Sequence, residues 1–171
     1  MSTRRGVGLT RRCQRRILPG VARLLACLLL LVLTTGATLS EAGAQRPCKP
    51  TPNDGAGPFT RLDAPLRSKI GTGHVLQGRV VRAGDCAPVR GALVYLWQAG
   101  PNGYGPRGRG SVKTDRQGRF RFVGPVPSSY GRAPHIHIAV VHGDYEELLT
   151  RYVVRRGARS GRITIVLTPL L

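Results

Sequence analysis

The chain has 171 residues, with 27 Lys and Arg against 8 Asp and Glu, and its formal net charge is +19. A hydrophobic content of 41% with 20% charged residues excludes a disordered tail and a multi-span membrane protein, and the length allows one domain with an appendage. The arginines are scattered over predicted strands and turns and lack interleaved aromatic residues. We therefore predict no nucleic-acid partner.

Residues 1–44 predict a secretory signal peptide. A basic region precedes the apolar run Leu24–Val32, and Ala42-Gly43-Ala44 forms a cleavage motif of small residues. We predict cleavage before Gln45, export to the periplasm or the extracellular space, and no membrane association after cleavage. A retained membrane anchor is the alternative, and an arginine pair in the basic region is compatible with twin-arginine as well as general export.

The chain beyond residue 44 predicts an all-β fold. Residues 45–74 are rich in proline, glycine, asparagine and aspartate and predict an extended, wrapping segment. Residues 75–171 contain seven short runs of alternating character, separated by turn residues, and no helical pattern. The predicted architecture is an antiparallel β-sandwich with one hydrophobic core. The predicted strands are Val75–Arg82, Ala92–Trp97, Ser111–Thr114, Arg119–Val123, Ile136–Val141, Leu148–Val154 and Ile163–Leu167.

Two cysteines, Cys48 and Cys86, lie outside the predicted signal peptide, which contains Cys13 and Cys27. An even pair in an exported protein favours a disulfide. Two separately buried thiols are the alternative, because the sequence does not show whether the two Cβ atoms meet.

The segment from Tyr130 to His137 is the most informative for function. On a strand, residues i and i+2 share a face, so His135 and His137 project together and can bind one metal ion, at an edge or rim marked by Pro134. Alone, such a pair is more often structural, and it also suits zinc or copper. Two phenolates, from Tyr104 and Tyr130, would complete a shell that favours Fe(III), whereas packing at the rim is the alternative for each tyrosine.

With these residues in view, the sequence resembles the intradiol ring-cleavage dioxygenases, the catechol and protocatechuate 3,4-dioxygenase group. The similarity covers nearly all of the chain beyond residue 44, and the last of its segments carries the most specific match. The segments are Cys48–Pro52, Gly57–Phe59, Leu76–Val80, Cys86–Ala92, Trp97–Tyr104, Thr114–Phe120 and Tyr130–His137.

The resemblance implies that Tyr104, Tyr130, His135 and His137 bind a non-haem Fe(III) together with a solvent hydroxide. It implies that Tyr130 is the axial ligand displaced by substrate, that His137 is the opposite axial ligand, and that Arg132 stabilises charge on the aromatic ring. The implied reaction is intradiol cleavage of a small catecholic substrate with O2, giving a muconate-type diacid. We therefore predict an oxidoreductase.

The sequence also departs from the family pattern. Seven residues separate Trp97 from Tyr104 where larger members usually have eight, and Thr150-Arg151 replaces a frequent Thr-Gln. The sequence predicts no helical N-terminal dimerisation region, and it leaves open whether the protein forms a homodimer. The alternatives are a non-catalytic sandwich of the transthyretin-like or carboxypeptidase-regulatory kind, and a metal- or phenol-binding protein without turnover. His74 and His142 are predicted to be ordinary polar residues.

Overall fold

A computed structural model describes residues 47–55, 57 and 60–171, so the predicted signal peptide, Pro58 and Phe59 lie outside the described residues. The described residues contain two β-sheets and confirm the predicted sandwich of seven strands. In this part of the chain no helix has the length and apolar character to cross a membrane. The strands are β1 His74–Arg82, β2 Leu93–Gly100, β3 Gly103–Lys113, β4 Arg119–Gly124, β5 His135–Val141, β6 Leu148–Val153 and β7 Ser160–Leu167.

One sheet has the strand order β4-β1-β7 and the other the order β3-β2-β5-β6. Neighbouring strands are antiparallel except β1 and β7, which run parallel and differ from the prediction. Alternation along a strand shows which side is buried but carries no information on the direction of its neighbour. The direction of β7 is therefore a property of the whole fold.

The core lies between the two sheets and is built from alternate residues of each strand. Leu76 and Phe122 come from the three-stranded sheet, and Leu96, Ile136 and Ile138 come from the four-stranded sheet, all nearly inaccessible to solvent. Each side chain of this size contributes about 1.5–3 kcal/mol when fully buried. The residues that alternate with these core residues point away from the core, and on β5 they include His135 and His137.

Strand β3 is much longer than the predicted Ser111–Thr114. Its first half contains Gly105, Pro106 and Gly108 and shows no alternation of apolar and polar residues, which is why the sequence did not indicate a strand. Main-chain pairing with β2 extends it, with an irregularity between Trp97 and Ala99. Tyr104 therefore lies on a strand, paired with Ala99, and not on a loop.

The N-terminal segment, residues 47–55, runs along both sheets without forming a strand of its own. The predicted disulfide between Cys48 and Cys86 is confirmed, with a Cα–Cα distance of 5.3 Å. Further along, the Thr51 N–H donates to the Val166 carbonyl and the Asp54 N–H to the Leu149 carbonyl. The disulfide and these bonds bring Asp54 to the outer side of the four-stranded sheet.

Candidate metal centre

The two histidines of β5 share the outer face of the four-stranded sheet, as the i, i+2 spacing predicts. Ile136 points into the core between them. Strand β5 lies between β2 and β6, so it is an interior strand and not the edge strand that Pro134 suggested. Pro134 directly precedes the strand, so the histidines lie at the rim of the sheet, where the prediction also placed them.

Three potential ligand atoms form a compact triangle at this rim. The Tyr104 Oη lies 3.0 Å from the His137 Nε2 and 3.3 Å from the His135 Nε2, and the two Nε2 atoms are 3.1 Å apart. An ion with metal–nitrogen distances of about 2.0–2.1 Å holds neighbouring ligand atoms about 3 Å apart. The triangle has the dimensions of three ligands on one side of a single metal ion.

The orientation of each imidazole is set by its surroundings. The His135 Nδ1 lies 2.7 Å from the Ala133 carbonyl oxygen, which can only accept, so Nδ1 carries a proton, and in the neutral imidazole Nε2 is then the atom with the lone pair that faces the triangle. The His137 ring stacks on Trp97, with centroids 5.0 Å apart and an interplanar angle of 7°. Burial, followed by the charges of His135 and Arg151, lowers the pKa of His137 to about 4. His137 is therefore uncharged near neutral pH, as metal binding requires.

The two tyrosines meet edge to face beside the imidazoles. Tyr104 follows Gly103, the first residue of β3, whose φ of 82° favours glycine and which lies beside the Tyr130 ring. The tyrosine ring centroids are 5.7 Å apart with an interplanar angle of 87°. Burial, with a smaller contribution from Tyr130, raises the pKa of Tyr104. Without a cation, the Tyr104 phenol therefore stays protonated at neutral pH.

Tyr130 and Arg132 lie on the loop before β5 and line the same cleft as the triangle. Tyr130 is 53% exposed, in contrast to the buried His135. Arg132 is exposed, and its charge is close enough to contribute to the lowered pKa of His137. The structure thus brings all five residues of the predicted site to one cleft, with Tyr104, His135 and His137 in mutual contact and Tyr130 at the mouth.

Arg151 and Asp54 add an ion pair that the sequence did not predict as part of the site. Arg151 pairs with His137 in the β5–β6 register, so both side chains leave the same face of the sheet. The Arg151 Nε lies 3.2 Å from the Asp54 Oδ2. The sequence singled out Arg151 because it replaces a glutamine that is frequent in the family. Nothing in the sequence indicated that Asp54 would form an ion pair with it. The charge that Arg151 brings to the cleft is partly balanced by the N-terminal segment.

The cleft has a volume of about 410 Å³, which is within the range of pockets that bind small molecules. Its walls combine aromatic rings with three charged side chains. The lining residues are Asp54, Gly55, Gly57, Trp97, Tyr104, Tyr130, Arg132, His135, His137, Leu149, Thr150 and Arg151.

The arrangement of the three atoms is explained better by a shared metal ion than by hydrogen bonds among them. With both imidazoles neutral and His135 protonated at Nδ1, at most two protons, on the Tyr104 Oη and the His137 Nε2, are available for the three contacts of 3.0–3.3 Å. Among the described residues no group of three or more His, Cys, Asp or Glu could hold a metal ion, and the two tyrosines line the cleft beside the imidazole pair. Phenolate oxygen with imidazole nitrogen suits a trivalent iron.

The other two histidines lie away from this cleft. The prediction of ordinary polar residues fits His142, which accepts a hydrogen bond from the Asp144 N–H. His74 differs, because it is almost fully buried, contacts the Ala158 carbonyl through Nδ1 and has no partner for Nε2 among the described residues. It is part of the packing between strands, which its position at the start of β1 did not indicate.

Comparisons with known proteins identify dioxygenases as relatives in sequence. No protein-family model matches the chain. It is 33% identical over 89 residues to a protein of Rickettsia bellii described as a dioxygenase, covering 39% of this chain and 43% of the relative. It is 32% identical over 111 residues to the 6-chlorohydroxyquinol 1,2-dioxygenase of Cupriavidus pinatubonensis, covering 48% of this chain and 40% of the relative. The chain thus spans less than half the length of these relatives.

The fold also matches a solved structure, the dioxygenase domain of a dioxygenase and carbohydrate-binding protein fusion from Streptomyces sp. SirexAA-E. The TM-score is 0.62 at 24% identity, over 71% of this chain and 100% of that domain. At this identity the match concerns the fold. The resemblance to the intradiol ring-cleavage dioxygenases is thus confirmed by the sequence relatives, and the fold is shared with a solved dioxygenase domain.

Proposed function

We propose that this chain binds a non-haem Fe(III) and cleaves the ring of a catecholic substrate with O2 between its two hydroxyl groups. Its sequence relatives, which are described as dioxygenases, support the proposal. The observation that carries the proposal is the triangle of Tyr104, His135 and His137, whose donor atoms lie 3.0–3.3 Å apart. A purely structural sandwich has no need to gather these three groups at a solvent-open cleft.

Tyr104, Tyr130, His135 and His137 would hold the iron. When bound, Fe(III) supplies Lewis acidity towards the two catechol oxygens and the electronic coupling that allows the ring to react with O2. Tyr130 is half-exposed at the mouth of the cleft, so it would be the phenol that a substrate displaces with least disturbance of the packing. Its Oη would then accept one of the two catechol protons and a solvent hydroxide would accept the other, so substrate binding would need no separate base.

The remaining cleft residues position the substrate ring. Trp97 stacks on His137 and fixes the plane of that imidazole. The Arg132 guanidinium lies in the cleft lining, where it favours the electron-rich form of the ring. Asp54 and Arg151 close one side of the cleft through their ion pair, which limits the direction from which a ring can enter.

Purified protein loaded with iron tests the proposal. We expect a wine-red colour from charge transfer between tyrosinate and Fe(III), a shift of that absorption band on addition of catechol, and consumption of one O2 per catechol with formation of a muconate-type diacid. Iron binding without O2 consumption would contradict the enzymatic activity and favour the alternative, a metal- or phenol-binding protein without turnover. Colourless protein that takes up no iron would overturn the proposal.

We also propose that Arg151 sets a preference for catechols that carry an acidic substituent. Its Nε contacts Asp54, which leaves the terminal nitrogens to donate to a carboxylate. We expect Arg151→Gln to lower the ratio of kcat/KM for 3,4-dihydroxybenzoate to kcat/KM for catechol by about tenfold, the value of one lost charge-assisted contact. Asp54→Asn removes the competing carboxylate and is expected to raise the same ratio. The control is Arg90→Gln, because Arg90 is exposed and does not line the cleft. If the ratio of the two kcat/KM values is the same in Arg151→Gln, Asp54→Asn and Arg90→Gln, the proposed role of Arg151 is contradicted.

Export remains a proposal as well, and the Cys48–Cys86 disulfide supports it, because such bonds persist mainly in oxidising compartments. Mass spectrometry of the protein recovered from its native compartment tests it. A mature N-terminus at Gln45 is the expected result, and an intact Met1 would contradict cleavage.

A further inference from the structure

The outer face of the three-stranded sheet carries four arginines in two adjacent rows. Arg79 of β1 lies directly opposite Arg119 of β4, and in the next row Gln77 lies between Arg121 of β4 and Arg162 of β7. Alternate residues of these strands are buried, so the four side chains leave on the solvent side. We call Arg79, Arg119, Arg121 and Arg162 the arginine face. The sequence analysis described the arginines as scattered, and the structure corrects this for these four, which lie together on one surface.

The charges of the arginine face are not balanced within the protein. No carboxylate forms an ion pair with any of the four among the described residues. Asp115 lines the same groove, but its Oδ1 accepts hydrogen bonds from the main-chain N–H groups of Gln117 and Arg119 and thereby shapes the turn before β4. The Arg162 Nε donates to the Gln77 Oε1, a neutral partner.

Like charges directly opposite each other destabilise a sheet, and here Arg79 and Arg119 are such a pair. A local arrangement that lowers stability without compensation inside the fold is typical of a functional surface. The arginine face therefore has the character of a binding site for a negatively charged partner.

The arginine face cannot serve the candidate metal centre. That centre lies on the outer face of the four-stranded sheet, and the hydrophobic core separates the two faces. The arginine face has an open groove of its own, about 640 Å³ in volume, whose lining includes Gly78 and Phe120. An elongated ligand could lie in this groove and contact both rows of guanidinium groups.

We propose that the arginine face binds a linear acidic polysaccharide. The planar guanidinium group pairs with carboxylates through two parallel hydrogen bonds. A chain of acidic sugars offers such groups repeatedly, so several weak contacts act together. The exposed large apolar residues of the described chain lie elsewhere, and Phe120 is buried, so the face lacks the stacking rings that bases require and the apolar side chains that insert into a membrane.

Binding of polygalacturonate to the full chain tests the proposal. The variant Arg79→Gln, Arg119→Gln, Arg121→Gln, Arg162→Gln is expected to bind at least about tenfold more weakly at about 50 mM salt, where surface charges are weakly screened. The matched control removes the same charge from exposed arginines elsewhere and is expected to change the affinity less than about threefold. The control substitutions are Arg90→Gln, Arg107→Gln, Arg155→Gln and Arg156→Gln.

Three results would overturn the proposal. They are an equal loss of affinity in both variants, no binding by the unchanged protein at about 50 mM salt, and tighter binding to single-stranded DNA or phosphatidylserine vesicles than to polygalacturonate. The melting temperature verifies that the variant is folded, and it is expected to stay level or rise because opposed like charges are removed. Iron content and ring cleavage are expected to be the same in both variants. Measuring them alongside polygalacturonate binding therefore distinguishes failure of the proposed enzymatic function from failure of this binding proposal.

Discussion

His137→Ala is expected to abolish iron retention and to lower kcat/KM for catechol cleavage at least about a thousandfold, because metal-dependent chemistry is lost with the metal. His137 contacts both other atoms of the triangle and is held in plane by Trp97. Its removal leaves Tyr104 and His135 without the third contact. Iron content by mass spectrometry, the charge-transfer absorption band and O2 uptake measure the effect.

The matched control is His142→Ala, because His142 is also a partly exposed histidine but lies outside the cleft. We expect this variant to keep full iron content and activity. Circular dichroism checks that both variants are folded, which is expected because Ile136 and Ile138 hold β5 in the core regardless of the outward side chain. A His137→Ala protein that keeps stoichiometric iron and normal turnover would show that the triangle is not the metal centre.

Removal of the disulfide by the double substitution Cys48→Ser, Cys86→Ser is expected to lower the melting temperature by about 12–16 °C. The two cysteines are 38 residues apart in sequence. On the chain-entropy model, closing a loop of that length stabilises the fold by about 4 kcal/mol. In a domain of this size each kcal/mol corresponds to about 3–4 °C. Thermal unfolding followed by circular dichroism measures the change.

A reducing agent provides the control. It is expected to lower the melting temperature of the unchanged protein by a similar amount and to leave the double variant unaffected. The N-terminal segment carries Asp54 to the cleft six residues after Cys48. Loss of the disulfide releases that segment and frees Arg151 from its competing carboxylate, so we also expect the double variant to show a lower KM for acidic catechols. A melting temperature within about 2 °C of the unchanged protein would contradict a stabilising role.

The strands with clear alternation were predicted well, because side chains on a strand alternate between core and solvent wherever one face is buried. Arg119–Val123 is an example, and the structure extends it by one residue. The first half of β3 was missed because it is held to β2 by main-chain hydrogen bonds. Its glycine and proline residues show no alternation of apolar and polar side chains, so the sequence carries no strand pattern there. The i, i+2 spacing of His135 and His137 predicted a shared face correctly, since it depends only on strand geometry.

The sequence by itself determined the sandwich, the common face of the two histidines and the residue types able to hold a trivalent metal. Local periodicity and side-chain chemistry are sufficient for these features. The tertiary structure alone decided that Tyr104 reaches within 3.0 Å of His137, that Asp54 pairs with Arg151, and that four arginines share one sheet face. These contacts join residues far apart in the chain, and only strand order and register bring such residues together.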